Sequence, residues 1–180
     1  MSEIDERQQT DARGDRVFLR GIRSGEYSLQ DELRRIRSLS RVVRARELPW
    51  HGNGPQFWNK WLLEPDMGGI QSLQSHMEVL VPGGRSQKHG HQNEALLYVL
   101  DGKGYDIHDG ARYDYEAGDL LIVHNGCVHQ HFNADDKHPL RVLVIKSKPL
   151  FMFMNLIFQR TIEPRPRTPV PGWERWKPEE

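Results

Sequence analysis

Residues 88–102 read KHGHQNEALLYVLDG, and residues 118–133 read GDLLIVHNGCVHQHFN. In a strand, side chains at i and i+2 point to the same face. His89 and His91 can therefore present two imidazoles to one point, and His129 and His131 repeat the arrangement about forty residues later, followed two residues on by Asn133. A facing strand would bring a third ligand to the first two. Burying several imidazoles in a small β-structure is unfavourable unless their nitrogens find partners, and one divalent cation satisfies three at once. Any one of these histidines alone reads as a surface or hydrogen-bonded core residue; two His-x-His pairs placed after glycine turns read as a metal site. Of the nine histidines only His51 lies outside residues 76–138, a stretch that also holds half of the 16 glycines.

Outward from this centre the chain reads as antiparallel β. From Trp58 the helical period vanishes and short apolar runs alternate with turn residues. Candidate strands are Gly69–Val81, Ala95–Asp101, Gly104–Asp109, Ala111–Tyr115, Asp119–Val123, Cys127–Asn133, Leu140–Lys146 and Leu150–Arg160. Pro82-Gly83-Gly84, Asp101-Gly102, Asp109-Gly110 and Ala117-Gly118 supply residues that tolerate positive φ where the chain reverses. Upstream, Leu29, Leu33, Ile36, Leu39, Val42 and Val43 recur at three and four residues, with Ser28 as N-cap and Asp31 at the capping-box position. This spacing predicts a helix to about Arg46, stopped by Pro49. Its other face carries Arg34, Arg35, Arg37, Arg41 and Arg44, a solvated face or an anion-binding one.

The expected organisation is a disordered stretch over 1–15, a helical extension over 16–56, the barrel over 57–160 and an extended Pro- and Trp-containing tail over 161–180. Lys plus Arg (25) balances Asp plus Glu (25), so charge points to neither a nucleic acid nor an anionic membrane as partner. No stretch reaches the roughly 18 apolar residues of a membrane span. The single cysteine, Cys127, excludes an internal disulfide framework and multi-cysteine zinc modules. A cytoplasmic protein is expected. Neither a Gly-rich phosphate loop nor a GxSxG elbow occurs.

Taken together these residues resemble the cupin superfamily, over about residues 70–146. Its first motif reads as Gly83, His89, His91, then Ala95 where a glutamate is usual, then Gly102. Its second reads as Gly118, His124 in place of proline, Gly126, His129 and Asn133. The resemblance implies an all-β double-stranded β-helix, or jelly-roll barrel. Glu94 sits one position from the expected carboxylate, and a one-residue offset in a strand turns a side chain to the opposite face unless a bulge corrects it. The absent carboxylate makes the site similar to gentisate 1,2-dioxygenase and related ring-cleaving enzymes. That likeness implies a divalent metal, Fe(II), held by His89, His91 and His129, with His131 matching a histidine near the substrate.

A small-molecule substrate follows from the same resemblance: a small aromatic or related chelating carboxylate or diketone, which would neutralise the uncompensated charge of an ion held by three neutral imidazoles. His131 is then a general acid or base, or a core histidine. His124 and Asn133 read as structural, and Cys127 as a packed thiol. His76 lines the cavity if the Gln74, His76, Glu78 face points inward. Phe57, Trp58 and Trp61 read as packing or as walls of an aromatic pocket. The competing functions are a non-redox isomerase or decarboxylase using Zn(II), Mn(II) or Ni(II), and a non-catalytic small-molecule-binding protein. A homodimer is expected, because such barrels expose sheet edges and the family commonly dimerises.

Overall fold

The computed structural model of the chain describes residues 29–64, 70 and 72–179. Among them, eleven strands form two antiparallel sheets. They are β1 (His51–Gly52), β2 (Phe57–Leu63), β3 (Gln74–Leu80), β4 (Lys88–His91), β5 (Ala95–Asp101), β6 (Lys103–His108), β7 (Ala111–Glu116), β8 (Leu120–Val123), β9 (Val128–Asn133), β10 (Leu140–Lys146) and β11 (Gln159–Glu163). One sheet has the order β1-β2-β3-β10-β5-β8 and the other β11-β4-β9-β6-β7. From β3 to β11 the chain changes sheet at every connection except the β6–β7 hairpin, which winds the two sheets around one interior as a double-stranded β-helix.

The two inner faces differ in chemistry. On the six-stranded sheet the period of two puts Ala95, Leu97 and Val99 of β5 and Leu140, Val142 and Val144 of β10 into the core, all nearly inaccessible to water. The five-stranded sheet turns imidazoles and a carboxylate inward: His89, His91, Asp106, His108, His129 and His131 are all buried. Two positions make this closure possible. The β6–β7 turn takes Asp109 and Gly110 at φ 47° and 91°, the pair of left-handed residues a tight two-residue hairpin needs. At Gly104 a Cβ would lie 2.6 Å from the Phe132 carbonyl oxygen and 2.7 Å from Leu140 and Tyr115, so any side chain there would push the sheets apart.

Two expected elements differ. The N-terminal helix, α1, spans Leu29–Ser38 and does not continue to Arg46. Ser38 Oγ donates to the Arg35 carbonyl at 2.7 Å, and Ser40 Oγ bonds both the amide and the carbonyl of Val42. These bonds offer the backbone an alternative to the helical ladder, and the exposed pair Val42 and Val43 adds no apolar stripe to hold it. Ser28 lies outside the described residues. The arginines of this segment are solvent-exposed, with Arg34 paired to Asp31. The second difference is the run Leu150–Arg160, read as one strand. It is a short helix, α2 (Lys148–Phe153), with Pro149 in its first turn, ended by Asn155 at φ 61°, and only then β11. A short apolar run does not by itself separate helix from strand.

The C-terminal tail packs against β2 and against the segment just before β1. Trp176 meets Trp58 edge-to-face at 5.3 Å, and Trp50 donates its indole N–H to the Glu179 carbonyl at 2.9 Å. No helix among the described residues is long and apolar enough to cross a membrane.

Candidate metal centre

Strands β4 and β9 pair with His89 opposite His129, which sets the two rings 4.4 Å apart between centroids. His91, two residues along β4, shares the inward face, and its ring lies 4.8 Å from that of His129. One nitrogen from each of the three histidines lies within 4.8 Å of the others. All three side chains are buried.

The hydrogen bonds at the far side of each ring decide which nitrogen faces the centre. Nδ1 of His91 donates to the Asn93 carbonyl at 2.7 Å, Nδ1 of His129 to the Cys127 carbonyl at 3.2 Å, and Nδ1 of His89 to the Gln87 carbonyl at 3.5 Å. With the proton on Nδ1, every Nε2 carries a lone pair. His91 Nε2 is buried without a partner, an arrangement that costs free energy unless something accepts the lone pair. Burial, followed by the charge of Lys146, lowers His91 to about 3; burial, followed by the charge of His131, lowers His129 to about 2. Burial and the neighbouring His129 and His91 likewise hold His89 well below the ordinary imidazole value. The three rings are therefore neutral near pH 7 and could accept a cation without losing protons. Three neutral nitrogen donors on a dry, preorganised ribbon pair fit a divalent first-row metal.

This constellation occurs within a stretch, residues 76–146, that matches the family model described as the cupin domain. The fold over this stretch is the cupin fold. A curated relative, acireductone dioxygenase from Yarrowia lipolytica, is 32% identical over 90 residues, covering 46% of this chain and 49% of that protein. Gentisate 1,2-dioxygenase from a Ralstonia species is 28% identical over 93 residues, covering 48% of this chain and 26% of that protein. The matched segment thus spans half or less of either relative. Among solved structures, the gentisate adduct of salicylate 1,2-dioxygenase from Pseudoaminobacter salicylatoxidans superposes with a TM-score of 0.55 at 14% identity, covering 76% of this chain and 36% of that chain. The shared property there is the fold.

Beside the three histidines lies a buried polar cluster around His131, whose other members, Asp106, His108 and Tyr115, were not among the sequence-derived site candidates. The β6–β9 register sets Asp106 opposite His131 and His108 opposite His129. His131 Nδ1 donates to Asp106 Oδ2 at 2.7 Å, His108 Nε2 reaches the same oxygen at 3.1 Å, and the Tyr115 hydroxyl donates to Oδ1 at 2.9 Å. Burial alone would raise the Asp106 carboxyl, but the charge of His131 and the three hydrogen bonds outweigh it and hold the group well below the usual carboxylate range. The same pairing raises His131 against the effect of burial. Asp106 is therefore an ionised, hydrogen-bonded partner that orients the His131 ring and leaves Nε2 as the atom free to exchange a proton. The signal was present as the alternation Gly104, Asp106, His108, yet only the cross-strand register ties it to His131.

The opposing wall comes from β3, whose residues Gln74, His76 and Glu78 are buried and face inward. His76 Nε2 bonds Glu78 Oε1 at 2.8 Å, and the Trp61 ring lies 4.6 Å from the His76 ring. Burial pushes the Glu78 carboxyl up, but the His76 hydrogen bond and nearby positive charges outweigh it and bring the group down to about 2. Of the expected aromatic walls, Phe57 joins the apolar core, Trp58 faces outward onto Trp176, and Trp61 lies against His76; all three belong to β2.

The remaining motif residues lie outside the three-histidine cluster. Glu94 is exposed, accepts a hydrogen bond from Ser147 Oγ at 2.7 Å and lies outside the cluster. His124 is exposed at the turn before β9. The Asn133 amide donates to the carbonyls of Leu80, Val81 and His138 and accepts from the Asp135 amide, tying three segments together. Cys127 is buried in the apolar core, and burial first, then Asp109, raises its thiol to about 11, so it is an inert packed residue.

Proposed function

We propose that the cupin domain binds one Fe(II) through Nε2 of His89, His91 and His129, and that the protein is a dioxygenase for a small chelating aromatic carboxylate or diketone in the cytoplasm. The observation that carries the reading is the set of three converging, neutral imidazoles, each tethered by Nδ1 to a backbone carbonyl and one of them, His91, buried with an unsatisfied Nε2. Both curated relatives bear the name of a dioxygenase. When bound, the ion supplies open coordination positions and the redox chemistry that couples a chelating substrate to dioxygen. Three neutral donors leave its charge uncompensated, which favours an anionic ligand. His131, whose ring lies 5.2 Å from that of His129, holds or releases a proton at Nε2 while Asp106 balances its charge. The apolar inner face of β5 and β10 keeps bulk water from the reacting groups.

Elemental analysis of protein purified without added metal is expected to find about one first-row divalent ion per chain. Oxygen consumption, screened across hydroxybenzoates, catechols and diketones, is expected to require Fe(II). Turnover without oxygen on Zn(II), Mn(II) or Ni(II) would replace this reading with an isomerase or decarboxylase, and tight binding without product would replace it with a binding protein.

The partner expected for this chain is a second copy. Leu96, Tyr98, Leu100, Leu120 and Ile122 are exposed on the outer face of β5 and β8. The register sets Leu96 beside Ile122 and Tyr98 beside Leu120, so the patch is contiguous and ends on an open sheet edge. Light scattering is expected to give twice the 21.0 kDa chain mass, and Ile122→Glu to give the single-chain mass. A monomeric wild type would end this part of the proposal.

A further inference from the structure

A cleft of about 590 Å³ opens where the tail that follows β11 crosses the β1–β2 loop. Its volume lies in the range of roughly 300–1,000 Å³ typical of small-molecule sites. Asn53, Gly54, Gln87, Thr161, Arg165 and Arg167 are among its lining residues, which include two arginines and no carboxylate. In a chain whose formal charges cancel, that is a local excess of positive charge.

Arg165 is the central feature. Its guanidinium is half-buried and donates one hydrogen bond, from Nη1 to Asn53 Oδ1 at 3.0 Å. It has no ion-pair partner within 4.0 Å among the described residues; the Phe57 ring lies 5.7 Å from its Cζ, and Glu78 acts on it from beyond contact. Guanidinium offers five donors in a planar fork, so four remain after the Asn53 bond. Removing such a group from water is costly unless an anion meets it. The walls are also held in place. Gln56 Nε2 donates to the Thr168 carbonyl at 2.8 Å, and Gly54, at φ 92°, packs so closely on the tail that a Cβ would lie 3.2 Å from the Pro166 carbonyl oxygen.

We propose that this cleft is a binding site for a small organic anion, a carboxylate or a phosphate monoester, held by the Arg165 fork with Arg167 at the rim. The site is separate from the three-histidine centre and stands whether or not that centre carries iron. It adjoins that centre along β4: Thr161 pairs with His89 across β11 and β4, and Gln87 supplies the carbonyl that holds His89 Nδ1.

The test is a titration of the zinc-loaded full chain with acetate, with methyl phosphate, and with sodium chloride at matched ionic strength. It is followed by ¹H–¹⁵N NMR at the amides of Asn53 and Gly54, the Nε–H of Arg165 and the amides of His89 and His129. Acetate or methyl phosphate is expected to move the Asn53, Gly54 and Arg165 signals saturably at millimolar concentration or below, and the stronger of the two identifies the anion class. Arg165→Gln is expected to weaken binding at least tenfold, and Arg165→Lys and the exposed-site variant Arg167→Gln a few-fold. Shifts that match chloride and do not saturate would overturn the proposal. So would saturable shifts confined to His89 and His129, or full affinity in a natively folded Arg165→Gln. Should Arg165→Gln fail to fold, unchanged affinity in both Arg165→Lys and Arg167→Gln would overturn it equally.

Discussion

Replacing His129 with alanine is expected to empty the metal centre and abolish oxygen uptake, a fall of at least about 10³-fold in kcat/KM, or roughly 4 kcal/mol of transition-state stabilisation. His129 is the ring that joins the two ribbons: it lies 4.4 Å from His89 and 4.8 Å from His91, and it is almost fully buried. Without it, two nitrogens remain on one strand, and two ligands do not hold a first-row ion as three do. Losing even a group that only orients a ligand typically costs about 10–100-fold in affinity, and losing the ligand itself costs more. The imidazole is neutral in the apoprotein, so its removal strands no buried charge, and the fold should survive with a cavity cost of a few kcal/mol. Metal content by mass spectrometry, circular dichroism and oxygen consumption are measured together. Glu94→Ala is the control: its carboxylate is exposed and bonded to Ser147, so metal and activity should both stay at the wild-type level. A His129→Ala protein that is folded and still carries one ion per chain would refute the three-histidine centre.

The second large effect is expected at the His131–Asp106 pair. His131→Gln should keep the metal and lower kcat by about 10²–10⁴-fold, the usual worth of a positioned general acid or base, with KM changed only a few-fold. Metal retention separates this from the first case, because His131 lies outside the three-nitrogen cluster while facing the same interior. Asp106→Asn probes the orientation of the ring. The carboxylate accepts from His131, His108 and Tyr115 at once, and an amide must turn one N–H toward a donor. Its kcat should fall with that of His131→Gln, and the fold should lose about 1–3 kcal/mol by chemical denaturation. Unchanged kcat in His131→Gln would assign the pair a purely structural role.

Much of the centre was legible because strand parity is local. His89 and His91, and His129 and His131, share faces by their spacing alone, and β5 and β10 begin and end where the apolar alternation does. Asp106 was not legible. An acidic residue amid Tyr105, Ile107 and His108 reads as an ordinary solvent-side position until β6 is paired with β9 in the register that puts it under His131. His76 and Glu78 had the right alternation, but parity does not say which face of a strand is inside; that depends on which face of the six-stranded sheet is turned toward the five-stranded one. The run Leu150–Arg160 was misread because apolar composition is shared by helix and strand, and only Pro149 and Asn155 mark where the one stops before the other begins.

The amino-acid sequence alone determined the β architecture and the identity of the metal-ligand candidates, since both rest on a two-residue period and on glycine turns within one chain segment. The tertiary structure decided the orientation of those imidazoles, the carboxylate that serves His131, the polar wall opposite and the arginine cleft where the tail meets the β1–β2 loop. The His131–Asp106 pair and the arginine cleft are contacts between strands or loops distant in sequence, and the imidazoles and the β3 wall depend on which face of each sheet is turned inward. Their register and spacing follow from the packing of the whole barrel, and no local pattern encodes them.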